Sequence, residues 1–417
     1  MLIRGKIPNK EPLISVGLIL PIDKQNIVEI FDSSSNSNFK IETINNSLFS
    51  NGKLISEFLV KNKKMDSEIK ISPVSAGRGF HWEKKISISV LGNVEVKIHD
   101  GYLFVINHLP LENYLMCVAT SEMSGSCPPS LLEAQTIAAR SWLLAAFEQK
   151  HKDIDIDACN DDCCQRYQGI ANLTESAFDA GNKTRGQVLI HEKQICDARY
   201  SKSCGGVSEN NENVWSEEPK QYLRGVFDGI KLGIPDFNNP TDLKEWYFGS
   251  QDCFCGPGFV NEKVIKNYLG SVDEDRAYFR WRQKLSQKEL VKTLSENLAC
   301  NFGSVHNLDP ITRGISGRIL KLEITGEING KVDRIIISSE YEIRRVLHKN
   351  FLFSSSFIVV PNGGGNSTHP NFELFGAGWG HGVGLCQIGA LGMAMAGKSK
   401  DEVLMHYYMN SEITKIY

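Results

Sequence analysis

Between Pro110 and Phe147 the chain reads as two helices joined by an elbow, and the elbow carries an acid. Leu111, Leu115, Val118 and Glu122 fall at i, i+4, i+7 and i+11, a single stripe of a helix entered through Pro110. Such a stripe must pack against another layer, so Glu122 is expected on a buried face. Ser124 and Gly125 then end the helix. The negative end of the helix dipole and the loss of water both disfavour an ionised carboxylate there, which suits a proton donor. A protonated acid in an apolar cleft is what cleavage of a glycosidic bond requires. The opposing reading is a solvated glutamate at a helix end, since Glu is a good helix former.

Pro128 and Pro129 restart a helix, proline being tolerated in the first turn, and 131–150 contains no breaker. Ala134, Ala138, Ser141 and Ala145 recur at helical spacing and let another backbone come close. Gln135, Arg140 and Trp142 add amide, charged and aromatic groups that suit sugars and serve packing equally well.

Several blocks resemble the stage II sporulation protein D family, which includes the amidase enhancers. They are Leu109-Pro110-Leu111-Glu112-Asn113-Tyr114-Leu115, Ser121-Glu122-Met123 and Glu133-Ala134-Gln135-Thr136-Ile137-Ala138-Ala139-Arg140-Ser141. Cys164-Gln165-Arg166-Tyr167-Gln168-Gly169, Tyr200-Ser201-Lys202-Ser203-Cys204-Gly205-Gly206 with Trp215, and the run from Gly378 to Ala390 follow in the family's order. Ser124 stands where the family commonly has proline. The resemblance implies a lytic transglycosylase acting on peptidoglycan glycan strands stripped of their stem peptides, with Glu122 as the catalytic acid. Gln135, Arg140, Tyr200, Ser201 and His381 are expected to handle substrate, a structural role being the competing reading for His381. An ordinary glycosidase needs two carboxylates, but a lytic transglycosylase manages with one. The acid protonates the leaving oxygen, then takes the proton of the sugar's own attacking hydroxyl, leaving a 1,6-anhydromuramyl end. The alternative is a noncatalytic wall-binding enhancer of an N-acetylmuramoyl-L-alanine amidase.

Eleven cysteines cannot all pair within one chain. The resemblance implies one structural zinc on His151, Cys159 and Cys164; Cys163 can replace Cys164, and Asp157, Asp161 or Asp162 can add oxygen. Reduced thiols or a bridge remain open. Cys253 and Cys255 can pair with Cys204 or Cys300, bind metal, or stay as buried thiols. Gly392 to Ser399 matches the G-x-x-x-x-G-K-S phosphate loop, but its Ala- and Met-rich context reads as a helix ended by Gly397, so no nucleotide is expected. The glycines from Gly376 to Gly384 lack G-x-G-x-x-G spacing and suggest close backbone packing; no H-E-x-x-H occurs.

With 41% hydrophobic and 23% charged residues, the chain can bury a large core. A net charge of −3 gives no basic footprint for nucleic acid. The expected class is α+β, with mainly antiparallel sheet and an inserted subdomain. The expected regions are a β-rich 1–95, a catalytic core at 96–230 holding the elbow, an insertion at 231–310, and strands with the Gly-rich segment at 311–417. The Asn- and Ser-rich stretch 33–51 is expected as a loop or hairpin tip. Leu13 to Leu20 is too short to span a bilayer and reads as the first strand, with no signal peptide in the given chain. A wall substrate nonetheless requires action outside the cytoplasm, in the periplasm or cell envelope, with an amidase or membrane-bound wall machinery as further partners.

Overall fold

Alternation of apolar and polar side chains drives the N-terminal region into antiparallel strands. In Ile27–Asp32 the residues Val28, Ile30 and Asp32 point inward, and in Ser37–Ile44 Ile41 and Thr43 do so. The computed structural model describes residues 2–417 apart from 63–66, 80–82, 216, 231–232, 250, 271–272, 274–275 and 363–369. One six-stranded sheet runs in the order Lys53–Ile55, Ser47–Ser50, Ser37–Ile44, Ile27–Asp32, Ile69–Ala76, Lys84–Val90. Of the loop or hairpin tip expected at 33–51, the structure has hairpin turns at 33–36 and 45–46, but most of the stretch forms two of these strands. Three of its asparagines occupy the turns, where Asn36, Asn45 and Asn46 have φ of 51°, 49° and 60°, a conformation asparagine tolerates.

A second sheet pairs Leu13–Ile19 antiparallel with Tyr102–Pro110, and Ala158–Cys159 joins its other edge in parallel. Pro110 ends the strand and caps helix α1 (Leu111–Glu122). All but Asn113 of α1 is buried, so the expected stripe is part of a helix enclosed on every side. Helix α2 (Pro129–Ala145) stops five residues short of the expected end. There Ala146 adopts φ 46° and ψ 40° and bonds back to the Leu143 carbonyl, a turn made without the usual glycine signal. The small face of α2 does admit another backbone: Ser141 Oγ accepts the Leu189 N–H at 2.8 Å from the strand Gln187–His191. Helix α3 (Glu175–Lys183) is capped by Thr174 and completes the helical layer.

By compactness the chain divides into one unit of residues 1–197, 267–273 and 412–417 and another of 198–266 and 274–411. In the second, Arg280–Leu285, Asn371–Ala377 and Phe357–Asn362 form one sheet and Phe302–Arg313, Ile319–Ile328 and Lys331–Ser338 another. Leu290 and Leu294 of the Ser286-capped helix Gln287–Leu298 pack into their shared apolar core. The first half of the G-x-x-x-x-G-K-S segment, Gly392 to Met395, ends the helix Gln387–Met395, Gly397 at φ 82° follows it, and Ser399 caps Lys400–Tyr407. Mostly antiparallel sheets with separate helices make the chain α+β. No helix among the described residues is long and apolar enough to cross a membrane.

One buried ion pair locks α1 to α2. Arg140 and Glu112 have 0% and 2% of their side chains exposed. Nε donates to Glu112 Oε1 at 2.9 Å, Nη2 to Oε2, and Nη1 to the Gln187 carbonyl. The Gly186 N–H and the Tyr417 hydroxyl fill the remaining capacity of Oε1. Removing one partner strands a buried charge, so Arg140→Leu is expected to cost about 3–5 kcal/mol. In urea unfolding the midpoint should fall with little change in slope.

Candidate active site and metal centre

Glu122 is the last residue of α1 and is 8% exposed. The helix stops because Met123 turns extended (φ −132°, ψ 158°) and pairs with Leu269, while the Ser124 N–H bonds to the Tyr268 carbonyl. The block Cys164–Gly169 lies across this helix end. The Arg166 N–H donates to Glu122 Oε1 at 3.1 Å and the Gln168 N–H to Ser121 Oγ at 3.1 Å. Gln165 reaches the Tyr114 hydroxyl and the Ala139 carbonyl, and Tyr114 stacks on Tyr167 at 5.2 Å. Gly169 has φ 66°, and a Cβ there would sit 1.9 Å from the Ser89 carbonyl oxygen, so only glycine lets this segment close.

The Arg166 guanidinium bonds to Asp162 and, at 2.5 Å, to Asp273. Burial works against its charge, but Asp273, Asp162 and Glu122 outweigh burial and hold it protonated well above the usual arginine range. Arg166 was legible only as a member of its sequence block; Asp162, four residues earlier, was its one local signal.

Upstream of this block, His151, Cys159, Cys163 and Cys164 bring one imidazole nitrogen and three sulfurs within 4.8 Å of one another. Cys159 and Cys163 Sγ stand 3.0 Å apart, and Cys163 Sγ is 3.6 Å from His151 Nε2. The candidate donor set is therefore His and three Cys, with Cys163 beside Cys164 rather than in its place. Hydrogen bonds from Cys159 and Cys164, aided by His151, pull the Cys163 thiol down, and the same sharing pushes Cys159 up to about 12. A closed S₃N set of this size suits a tetrahedral thiophilic cation. The three candidate aspartates are used elsewhere: Asp157 by Ser15 and the Leu2 N–H, Asp161 by the Gly77 and Arg78 N–H groups, and Asp162 by Arg166. Cys159 packs with Leu20, Phe104, Ile106 and Ile156, which anchors the cluster to the sheet.

Gln135 and Arg140 do not match the role expected of them: both show 0% exposure, and Arg140 is held by Glu112. Side chains with no surface cannot meet a glycan. The second unit brings Tyr200, Ser201 and His381 together. Tyr200–Ser201 pairs in parallel with Leu385–Cys386, and a Cβ on Gly380 would lie 3.4 Å from that of Ser201. His381 Nδ1 accepts the Val383 N–H at 3.0 Å and its ring meets Trp215 at 4.9 Å. A cleft in the first unit is lined by Leu2, Trp142, Ala146, Phe147, Ile156 and Cys164; Glu122 is not on its wall.

A family model described as "Stage II sporulation protein" matches residues 99–191, and one described as a domain of unknown function matches 209–384. An uncharacterized protein of Brachyspira hyodysenteriae is 26% identical over 331 residues, 78% of this chain and 72% of its own length. Stage II sporulation protein D of Bacillus subtilis is 24% identical over 329 residues, 74% of this chain and 76% of its own. The amidase enhancer of the same organism is 24% identical over 312 residues, 71% of this chain but 40% of its own length.

Burial pushes the His381 imidazole well below its usual value, with Arg199, Arg318 and Arg344 adding to the effect. The folded state thus binds fewer protons at this site than the unfolded chain. The site's contribution to stability is present above the unfolded pKa of about 6.5 and is lost as pH falls below it. Melting temperature should drop on acidification from pH 7 to 5, and His381→Gln should flatten that slope.

Proposed function

Because the chain belongs to the family of stage II sporulation protein D and the amidase enhancer, we propose that it acts on the bacterial cell wall, outside the cytoplasm, as a lytic transglycosylase with Glu122 as its acid. The observation that carries this reading is a single glutamate at the buried end of α1, with one carboxylate oxygen oriented by the Arg166 N–H. Glu122 donates its proton to the oxygen between two sugars, and the C1–O bond breaks. The muramyl C6 hydroxyl oxygen bonds to C1, and its proton returns to Glu122. No water is consumed. Asp162 and Asp273 are each committed to Arg166, which supports a one-carboxylate mechanism over a two-carboxylate one. Tyr200, Ser201 and His381 are proposed to contact the glycan.

Zinc is proposed for His151, Cys159, Cys163 and Cys164. Four protein donors leave no open position, so the ion supplies structure rather than a reactive water. It would fix the segment that continues into Arg166, two residues after Cys164, and through it the Glu122 carboxylate.

The enhancer reading is favoured by the similarity to the amidase enhancer of Bacillus subtilis. Peptide-free glycan incubated with the protein should yield 1,6-anhydromuramyl products by mass spectrometry. Glu122→Gln should abolish them while leaving glycan binding in place. Binding without product from the wild type, together with stimulation of an amidase that Glu122→Gln leaves intact, would favour the enhancer instead. Cys159→Ser should lose one equivalent of zinc and lower the cleavage rate on the order of 10²-fold, the cost of a displaced catalytic group.

A further inference from the structure

Cys204, Asp228, Cys255 and Cys386 place three sulfurs and a carboxylate oxygen within 4.8 Å of one another, and all four residues are buried. They come from separate stretches of the second unit: Cys204 beyond the strand Tyr200–Ser201, Asp228 and Cys255 in loops, and Cys386 at the start of the helix Gln387–Met395. Of the pairings open from sequence, Cys255 joins Cys204. Cys253 stays outside with its Sγ near the Gly206 carbonyl, and Cys300 lies against the apolar core of the sheets.

Cys204 and Cys255 Sγ are 3.8 Å apart. That matches the roughly 3.8 Å between two thiolates on a tetrahedral zinc with bonds of about 2.3 Å, and is nearly twice the length of a disulfide. Cys386 Sγ accepts the N–H groups of Cys204 at 3.2 Å and Gly389 at 3.3 Å, and Cys204 Sγ that of Gly206 at 3.4 Å. Backbone donors aimed at sulfur favour thiolates; thiols that merely fill apolar space have no need of them. Asp228 splits its oxygens. Oδ1 takes the Tyr407 hydroxyl, while Oδ2 accepts the Cys255 N–H at 3.0 Å and faces Cys204 Sγ at 3.5 Å.

Held ionised, these four groups would be costly in a water-free space without a cation. Arg280 lies within electrostatic reach of Cys204, Cys253 and Cys255, yet it donates to the Gly205 and Trp246 carbonyls, and its charge is available to balance an anionic centre. We propose that Cys204, Cys255 and Cys386 bind a zinc ion as thiolates, with Asp228 Oδ2 as fourth ligand, in a site separate from the His151 cluster. Binding releases the three thiol protons to solvent. Three sulfurs and one carboxylate oxygen select a thiophilic divalent ion, and four protein ligands close the shell, so the site is structural. It ties Tyr200–Ser201, the Asp228 and Cys255 loops and the helix Gln387–Met395 to one point.

The test uses the full chain carrying Cys159→Ser and Cys163→Ser, which removes the first cluster, supplied with zinc alone. About one zinc per chain is expected to remain, and X-ray absorption should read three sulfurs and one oxygen around it. Adding Cys386→Ala should empty the site. If these backgrounds fail to fold, Cys386→Ala in the otherwise wild-type chain still decides, with the loss of one equivalent of zinc expected. Zinc content that Cys386→Ala leaves unchanged in the wild-type background, no zinc in the double variant, or a disulfide among Cys204, Cys255 and Cys386 in mapped peptides would overturn the proposal.

Discussion

Arg166 is the residue on which the elbow depends. Its backbone N–H fixes one oxygen of Glu122, and its guanidinium is held between Asp162 and Asp273. An arginine so enclosed is tolerable only with its charge fully paired, and two carboxylates meet that condition. The segments around 121–124, 162–169 and 267–273 consequently cannot shift independently: the Met123–Leu269 bridge, the Gln168 bond to Ser121 and the close approach of Gly169 to Ser89 all follow the same knot. The catalytic geometry proposed for Glu122 rests on backbone donors and packed charges, so small displacements are expected to matter.

Below that knot, the Glu112–Arg140 pair performs the corresponding task for the other end of α1. The Glu112–Arg140 pair lies where apolar packing alone would leave α1 and α2 free to slide. The arginine that sequence reasoning assigns to substrate is instead part of this scaffold, and the arginine that orients the acid is one it did not single out. Local spacing distinguishes them poorly, because the partners Glu112 and Asp273 lie far from Arg140 and Arg166 in the chain.

Helix limits and strand alternation were legible where local physics dominates. The start of α1 at Pro110 and the break at Gly397 needed only proline and glycine chemistry. The 33–51 stretch misled because asparagine and serine mark turns as well as loops, and two short strands fit between them. The first thiol cluster was visible from the closeness of Cys159, Cys163 and Cys164. The second was not, because its ligands span 183 residues from Cys204 to Cys386 and meet only through tertiary packing.

The central claim is that one acid suffices because the sugar's own hydroxyl attacks. Digestion of peptide-free glycan in oxygen-18-labelled water tests it most directly. The account predicts anhydromuramyl ends free of heavy oxygen; labelled reducing ends would reveal a second group activating water and contradict it.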